Sequence, residues 1–276
     1  MYVRPSPTGA PRASIILCTT RADSYATCVA SLDAQTEVNY ELITLDEIGP
    51  LARIRNQGLR AATAPVVCFI DDDTVVPPTW LRGVLAGFER GPRIVGVSGP
   101  AIIPLAARHH RDLFRYRQLL QLYRCLFLDG DHQPGSISRA GAAATSSADE
   151  DCNYEGVVDY LEACNMSFRR DALNAVGGFD EAYRDLGEWC EPDLCYRLRA
   201  ADPTVQCYFT PTAALIHRPA LGAATLRRRQ TRSRLANYRL FARRWVRPCW
   251  QHTLYTAFMG TYYASLECRR ALSYAP

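Results

Sequence analysis

The 276-residue chain contains no lysine, and all 32 of its basic residues are arginine. Without lysine there is no amine for a Schiff base and no cation at the lysine position of a P-loop, which excludes two classes of enzyme. The eleven cysteines form no CxxC pair, so the spacing of a structural zinc site is absent, and we expect reduced thiols in a cytoplasmic protein. No apolar run reaches the roughly 20 residues that a membrane-spanning helix needs.

The chain instead alternates short apolar runs with amphipathic segments. Strands are predicted at ASIILC (Ala13–Cys18), YELITL (Tyr40–Leu45), PVVCFI and RIVGVSGPAII. Helices are predicted from Asp23 or Ser24 onward and at LARIRNQGLRAA and TWLRGVLAGFER. This alternation favours an α/β fold with a mostly parallel central sheet flanked by helices, in which ligands bind at the carboxyl ends of the strands. We therefore expect Asp46 and the acids at 71–73 to share one crevice.

Three consecutive aspartates follow the apolar run in the stretch VVCFIDDDTVVPP. Adjacent carboxylates repel one another, so the fold needs either a solvated turn or a positive group at this point. A cluster of carboxylates after a strand suits a hard divalent cation. An exposed turn with helix-capping acids accounts for the same residues, and this stretch alone leaves the two interpretations open.

Two later segments place polar side chains at further element ends. AALIHRPA puts His217 after an apolar run, and imidazole is a common metal ligand, although a lone histidine is more often structural. GEWCEPDLCYRLRAA concentrates Glu188, Glu191 and Asp193 just before a helix. The helix dipole explains acids at this position. The alternative is that one carboxylate is a general base that activates an acceptor hydroxyl.

In this order, FIDDDTVVPPTWL, CNMSFRRDALNAVGGFDE, EPDLCYRL and LIHRPA resemble glycosyltransferase family 2, the inverting enzymes of the GT-A fold. Upstream, IILCTTRADSYATCVASLDAQT and ARIRNQGLRAA resemble the first strand and helix of the family and its Arg-Asn helix. The similarity runs from about Ser14 to Pro219. It implies a Rossmann-like GT-A sheet, a nucleotide-diphosphosugar donor of the UDP or dTDP type, and Mn²⁺ or Mg²⁺ as cofactor.

The resemblance also implies the donor side of the site. Asp73 and His217 resemble the metal ligands of the family. The implied nucleotide-sugar residues are Thr19, Arg21, Asp46, Arg55, Asp71 and Asp72. Among these, Asp46 would read the nucleobase, Asp72 would face the ribose or the metal, and Asp71 would be mainly structural.

On the acceptor side, Glu191 stands where the family usually has its catalytic aspartate, and Glu188 is a competing base. Asn165, Gly178 and Asp193 are implied near the acceptor. The sequence departs from the family here, because WCEPDL stands where an ED-x-DL pattern is usual. The acid before the base is thereby replaced by Cys190.

Four regions are expected along the chain. Residues 1–12 would be a flexible N-terminus, and residues 13–105 the half that binds the nucleotide sugar. Residues 106–220 would be the acceptor-binding and catalytic half, with a mobile loop at 129–156. Residues 221–276 would form an Arg-rich C-terminal helical extension.

The Arg-rich extension has three interpretations that the sequence leaves open: a solvated basic helix, peripheral contact with the inner face of a membrane or a lipid-linked acceptor, or a clamp for the donor diphosphate. We expect no nucleic-acid partner, because no nucleic-acid module is recognisable. The acceptor would be a glycan, a lipid-linked molecule or a small molecule. The alternatives to a transferase are a sugar-1-phosphate nucleotidyltransferase and a non-catalytic relative that binds nucleotide sugars or glycans.

Overall fold

The computed structural model describes residues 1–7, 9–19, 22–104, 122–128, 133–145, 152–218 and 231–273. Its strands are β1 (Tyr2–Arg4), β2 (Ala13–Cys18), β3 (Tyr40–Leu45), β4 (Val66–Asp71), β5 (Thr74–Val75), β6 (Ile94–Ser98), β7 (Ala101–Ile102), β8 (Ser136–Ile137), β9 (Ala143–Ala144), β10 (Gly156–Val158), β11 (Asn165–Arg169), β12 (Gln206–Phe209) and β13 (Leu215–His217). The helices are α1 (Ala22–Asp33), α2 (Leu51–Ala61), α3 (Trp80–Glu89), α4 (Arg170–Ala175), α5 (Cys190–Ala201), α6 (Thr231–Trp245) and α7 (Trp250–Ser273). Residues 122–127 are also helical.

An eight-stranded sheet forms the centre of the fold, in the order β1-β3-β2-β4-β11-β6-β12-β10. The strands β2, β3, β4, β6 and β12 run in one direction. The sequence predicted the first four of these strands, and it did not predict β12. The sheet is nevertheless mixed, because β11 lies between β4 and β6 and is antiparallel to both. The strands β1 and β10 are antiparallel additions at the two edges.

Helices cover both faces of this sheet, which explains why its strands read as continuous apolar runs. Successive side chains of a strand point to opposite faces, and Ile16 packs into one core while Ile15 and Leu17 pack into the other. A strand buried on both sides has no polar face to show in its sequence. The α/β class predicted from these runs is confirmed.

A small sheet in the order β5-β13-β7 lies beside the large one. The run RIVGVSGPAII, predicted as one strand, is divided at Gly99 and Pro100 into β6 of the large sheet and β7 of the small one. A side chain at Gly99 would come within 2.5 Å of the Ala213 backbone, so only glycine allows this close passage. The pairing of β13 with β5 places His217 opposite Thr74, next to the three aspartates.

The C-terminal part of the chain is helical, as expected, and it packs onto the rest of the protein. Helix α6 contacts both α5 and α7. An aromatic core fills the space between these helices and residues 122–128, and it includes Tyr238, Tyr255 and Phe127. The amphipathic sequence from Arg108 to Leu128 also predicts a helix, and most of this segment lies outside the described residues. Within the predicted loop at 129–156, β8 and β9 pair as a short hairpin.

Candidate active site

A cleft of about 890 Å³ opens at the carboxyl ends of the central strands. Cys18 and Asp71 end the neighbouring strands β2 and β4 and lie in register, so both reach this edge. The residues that line the cleft come from every part of the chain: Cys18, Thr19, Glu47, Ile48, Gly49, Pro50, Leu51, Ile54, Arg55, Asp71, Asp72, Asp73, Ala143, Tyr160, Leu161, Ala163, Asp185, Leu186, Glu188, Trp189, Glu191, Pro192, His217, Arg234, Met259 and Tyr263.

Two carboxylates and an imidazole converge at one end of the cleft. Ligand atoms of Asp71, Asp73 and His217 all lie within 4.8 Å of one another. His217 Nε2 is 3.2 Å from Asp73 Oδ1, and both side chains are buried. Oxygen and imidazole ligands suit Mn²⁺, and oxygen ligands suit Mg²⁺ as well. The donor set therefore fits a divalent ion.

The three aspartates have different surroundings. Asp72 is buried and accepts a hydrogen bond of 2.7 Å from Thr19 Oγ1. Burial raises the pKa of the Asp71 carboxyl, and the guanidinium of Arg55 opposes that rise. The expectation that Asp71 is mainly structural is not supported, because Asp71 belongs to the candidate metal cluster and Asp72 does not.

Arg55 of α2 connects the metal end of the cleft to the start of α5. Its guanidinium donates a 2.6 Å bond to Glu191 Oε1 and lies 3.8 Å from Asp71 Oδ1. The Arg55 side chain is only 2% exposed. Burial works to lower its pKa, but the facing carboxylate of Glu191 raises it above the ordinary value, so Arg55 stays charged. A buried charge needs such partners to offset its lost hydration.

Glu191 lies in the first turn of α5 and faces the same cleft. Burial raises the pKa of its carboxyl, while the ion pair with Arg55 opposes the increase. Cys190 beside it is fully buried in the core, and its thiol lies 3.8 Å from an Arg55 nitrogen. The cysteine that replaces the usual acid is thus part of the core, and its sulfur accepts a weak hydrogen bond from Arg55.

A strained turn positions the residues just before α5. Asp185, Gly187 and Trp189 all have positive φ, at 54°, 68° and 76°. Positive φ is costly for residues with a side chain, typically about 1–3 kcal/mol each, and such strain is concentrated at functional sites. The turn directs Glu188 and Trp189 into the cleft, and both line it.

The C-terminal helices form the far wall of the cleft. Arg234 of α6 bonds the Glu188 carboxylate through Nε, and its guanidinium lies 5.3 Å from the ring centre of Tyr263 on α7. Met259 of α7 lines the same wall. The charges of Glu188 and Arg234 therefore offset each other at this end.

Four of the residues expected in the site do not line the cleft. Asp46 is exposed and binds the N-terminal amine of Met1 at 3.2 Å, whereas its neighbour Glu47 lines the cleft. Asp46 follows the end of β3, but its side chain is directed toward the N-terminus before β1. It therefore does not share a crevice with the acids at 71–73, which is contrary to our expectation. Arg21 lies outside the described residues.

The other three are structural anchors in the interior. Asn165 donates to the backbone carbonyls of Gly99 and Ala213 and accepts from the indole of Trp80. Gly178 adopts φ +71°, where a Cβ would come within 2.5 Å of Asn56 Oδ1. Asp193 accepts bonds from Arg197, Arg244 and Trp245 and is fully buried. The contacts of Asn165 and Asp193 hold neighbouring strands, loops and helices together, and none of the three residues shows support for a role at the acceptor.

Sequence reasoning missed Trp189, Met259 and Tyr263 entirely. Arg234 was included only as one member of the Arg-rich tail. The Arg-rich pattern signalled that some arginine could reach the site, but nothing in the sequence indicated which one. That selection depends on how α6 packs on α5, which places Arg234 against Glu188.

Residues 49–143 match the model of glycosyl transferase family 2. The resemblance to family 2 is confirmed. The match begins at the loop before α2 and includes Arg55 and the three aspartates. The C-terminal helices α6 and α7 lie outside the matched segment.

Curated relatives are also glycosyltransferases. The chain is 24% identical over 199 residues to the glucosyl-dolichyl phosphate glucuronosyltransferase of Haloferax volcanii, covering 61% of this chain and 56% of that protein. It is 28% identical over 169 residues to the pre-mycofactocin glycosyltransferase of Mycobacterium tuberculosis, covering 61% of this chain and 30% of that protein. The chain thus spans about half the length of the first relative and under a third of the second.

Solved structures share the fold at low sequence identity. The mannosyltransferase PcManGT of Pyrobaculum calidifontis, in complex with GDP-Man and Mn²⁺, superposes with a TM-score of 0.56 and 14% identity over 99% of this chain and 79% of that one. GalNAc-T7, with UDP, GalNAc and Mn²⁺, gives a TM-score of 0.58 and 11% identity over 86% of this chain and 48% of that one. These likenesses confirm the GT-A fold. Within the described residues, no helix combines the length and the apolar character needed to cross a bilayer.

Proposed function

We propose that the protein is a metal-dependent inverting glycosyltransferase that moves a sugar from a nucleotide diphosphate to an acceptor hydroxyl. One observation carries the proposal: the Asp71–Asp73–His217 cluster and the carboxylate of Glu191 line the same cleft, with Arg55 between them. A transferase of this kind needs a charge-stabilising centre at the leaving group and a base at the acceptor. The cleft contains candidates for both.

At the donor end, Asp71, Asp73 and His217 would hold Mn²⁺ or Mg²⁺. When bound there, the ion supplies positive charge for a diphosphate leaving group. Thr19 fixes the carboxylate of Asp72, which is proposed to face the ribose. The nucleotide is proposed to be of the UDP or dTDP type. GDP is a rival, since PcManGT is in complex with GDP-Man whereas GalNAc-T7 is in complex with UDP.

Glu191 is proposed as the general base. An acceptor hydroxyl is a weak nucleophile until a carboxylate takes its proton. Arg55 fixes the Glu191 carboxylate and keeps a positive charge beside it, which favours the ionised form that a base requires. A single in-line displacement then inverts the anomeric carbon. Glu188 is the competing base, and its carboxylate is held by Arg234 instead.

The test is a screen of UDP-, dTDP- and GDP-sugars with the purified protein, with Mn²⁺, with Mg²⁺ or with excess chelator. We expect one donor class to be hydrolysed slowly with metal and not with chelator. Asp73→Asn should abolish this turnover, and Glu89→Gln, a change of an exposed acid on α3, should not. Binding of a donor without hydrolysis or transfer would instead identify a non-catalytic relative. Release of pyrophosphate from a nucleoside triphosphate would identify a nucleotidyltransferase.

Peripheral contact with the inner face of a membrane is a further part of the proposal. Trp250 is 70% exposed and Leu254 is 44% exposed along α7. Arg243 and Arg247 are exposed nearby in the chain. An exposed apolar strip beside basic residues favours an anionic lipid surface. Flotation with vesicles containing phosphatidylglycerol should recover the wild type, and the Trp250→Ser, Leu254→Ser double variant should stay in the soluble fraction.

A further inference from the structure

The ion pair of Glu188 and Arg234 is a second charged feature of the cleft, in addition to the metal cluster and the Arg55–Glu191 pair. Asp71 contacts Arg55, and Arg55 contacts Glu191. Glu188 precedes Glu191 by three residues, and Arg234 joins it from α6. Glu191, Glu188 and Arg234 all line the one cleft, so we expect an acceptor that reaches the proposed base to approach beside this pair.

We infer that Glu188 and Arg234 together recognise the acceptor, and that this acceptor presents neutral vicinal hydroxyls, as a sugar does. The inference rests on the proposed function and deepens it. It also argues against the interpretation in which the Arg-rich extension binds the donor diphosphate.

The charge balance favours a neutral ligand at this position. Arg234 already has a carboxylate partner, so a phosphate would have to displace Glu188 or be repelled by it. Among the described residues that line the cleft, the arginines are Arg55 and Arg234, and both are paired with glutamates. Anion binding at this end would therefore leave a carboxylate facing an anion in a partly enclosed cleft.

The hydrogen-bonding capacity of the pair matches a diol. A carboxylate only accepts and a guanidinium only donates, and a guanidinium has five N–H donors. A hydroxyl does both, so two neighbouring hydroxyls can bind a carboxylate oxygen and a guanidinium N–H at the same time. The Arg234 and Glu188 side chains are 23% and 27% exposed, so a ligand in the cleft can reach both.

The surroundings hold the pair in place and add an apolar surface. The ring of Tyr263 lies against the Arg234 guanidinium, which limits its rotamers. Trp189, the next residue after Glu188, and Met259 of α7 also line the cleft. Pockets typically combine such apolar walls with a few placed polar groups, an arrangement that suits the C–H faces and hydroxyls of a sugar ring.

The experiment measures transfer to methyl glycosides of glucose, galactose and mannose and to the corresponding hexose 6-phosphates, using whichever nucleotide sugar the protein hydrolyses. The wild type should transfer to at least one neutral glycoside and prefer it to its phosphate. Glu188→Gln and Arg234→Gln should each raise the acceptor KM about tenfold or more, with kcat and donor KM within about twofold. Arg239→Gln, a change of an exposed arginine on the same helix, should alter none of these constants.

The sign of the Glu188→Gln effect separates the alternatives. A diphosphate clamp predicts that Arg234→Gln raises the donor KM and that Glu188→Gln lowers it by freeing Arg234, and this result would overturn the inference. A loss of kcat in Glu188→Gln with an unchanged acceptor KM would identify Glu188 as the base and would also overturn it. Donor hydrolysis with transfer to phosphates alone, or to no sugar, contradicts it as well. If the wild type neither binds nor hydrolyses any donor, it is the proposed function that fails.

Discussion

Arg55 and Glu191 lie 136 residues apart in the chain, and their side chains meet at 2.6 Å in a buried ion pair. The same guanidinium lies 3.8 Å from Asp71 of the candidate metal cluster. One cation thus positions two carboxylates that have different proposed roles. We therefore expect Arg55 to matter for folding and for the proposed activity.

Replacing Arg55 should destabilise the fold, because the Glu191 carboxylate would stay buried without its ion-pair partner. We expect Arg55→Leu to lower the free energy of unfolding by about 3–5 kcal/mol, measured by urea denaturation. The matched control is Arg53→Leu on the same helix, whose exposed pair with Glu47 should contribute at most about 1 kcal/mol. If both variants lose a similar free energy of unfolding, the buried pair contributes no more to stability than the exposed one, which would contradict this prediction.

Divalent metal should stabilise the fold through Asp71, Asp73 and His217. A ligand that binds only the native state raises the melting temperature with concentration, so Mn²⁺ should do so in a thermal scan. Asp73→Asn and His217→Ala should remove that shift, and Asp71→Asn should weaken it. Glu89→Gln should retain it. A full shift in Asp71→Asn would return Asp71 to the structural role that the sequence suggested.

Glu191→Gln should separate catalysis from binding. Loss of a general base typically costs about 10²–10⁴ in rate, so kcat for transfer should fall by this factor. Calorimetric binding of donor with Mn²⁺ should be unchanged. Glu191→Asp should retain part of the rate. If Glu191→Gln keeps full transfer, the base lies elsewhere, and Glu188 becomes the first alternative.

The pH dependence of transfer should reflect the burial of Glu191. The carboxylate must be ionised to accept a proton, and burial raises its pKa despite the nearby Arg55. Activity should therefore be lost on the acid side at a higher pH than an ordinary glutamate would give. The measurement is kcat against pH at saturating donor, acceptor and metal. If activity is lost only at or below the pH at which an ordinary glutamate titrates, the effect of Arg55 on the Glu191 pKa outweighs the effect of burial.

Asp193 should matter for stability and not for chemistry. It accepts bonds from Arg197, Arg244 and Trp245 and does not line the cleft. Asp193→Asn should lower the free energy of unfolding by roughly 1.5–3 kcal/mol and leave kcat within twofold at a temperature where the variant is folded. Asp180→Asn, a more exposed partner of Arg244, should cost at most about 1 kcal/mol. A selective loss of kcat in Asp193→Asn would restore its acceptor-side role.

The amino-acid pattern alone locates the buried strands and the acids that follow them. Runs such as Ala13–Cys18 and Tyr40–Leu45 agree residue for residue with β2 and β3, because a strand buried on both faces consists mostly of apolar side chains. The buried polar residues in these two strands include Ser14 and Glu41, which bond each other. The position of 71–73 at a strand end followed from the same pattern. Local composition carries this information, so no knowledge of distant contacts was needed.

Which side chains share the cleft depends on the packing of distant elements, which the local pattern does not reveal. Asp46 and Asp71 both lie at strand ends, but Asp46 is directed toward Met1 while Asp71 joins His217 through the pairing of β13 with β5. Arg234 reaches Glu188 because α6 packs on α5. These choices depend on strand order and on helix packing across long sequence separations. A periodic pattern identifies the buried face of an element, but it does not identify the residue on a distant element that this face will contact.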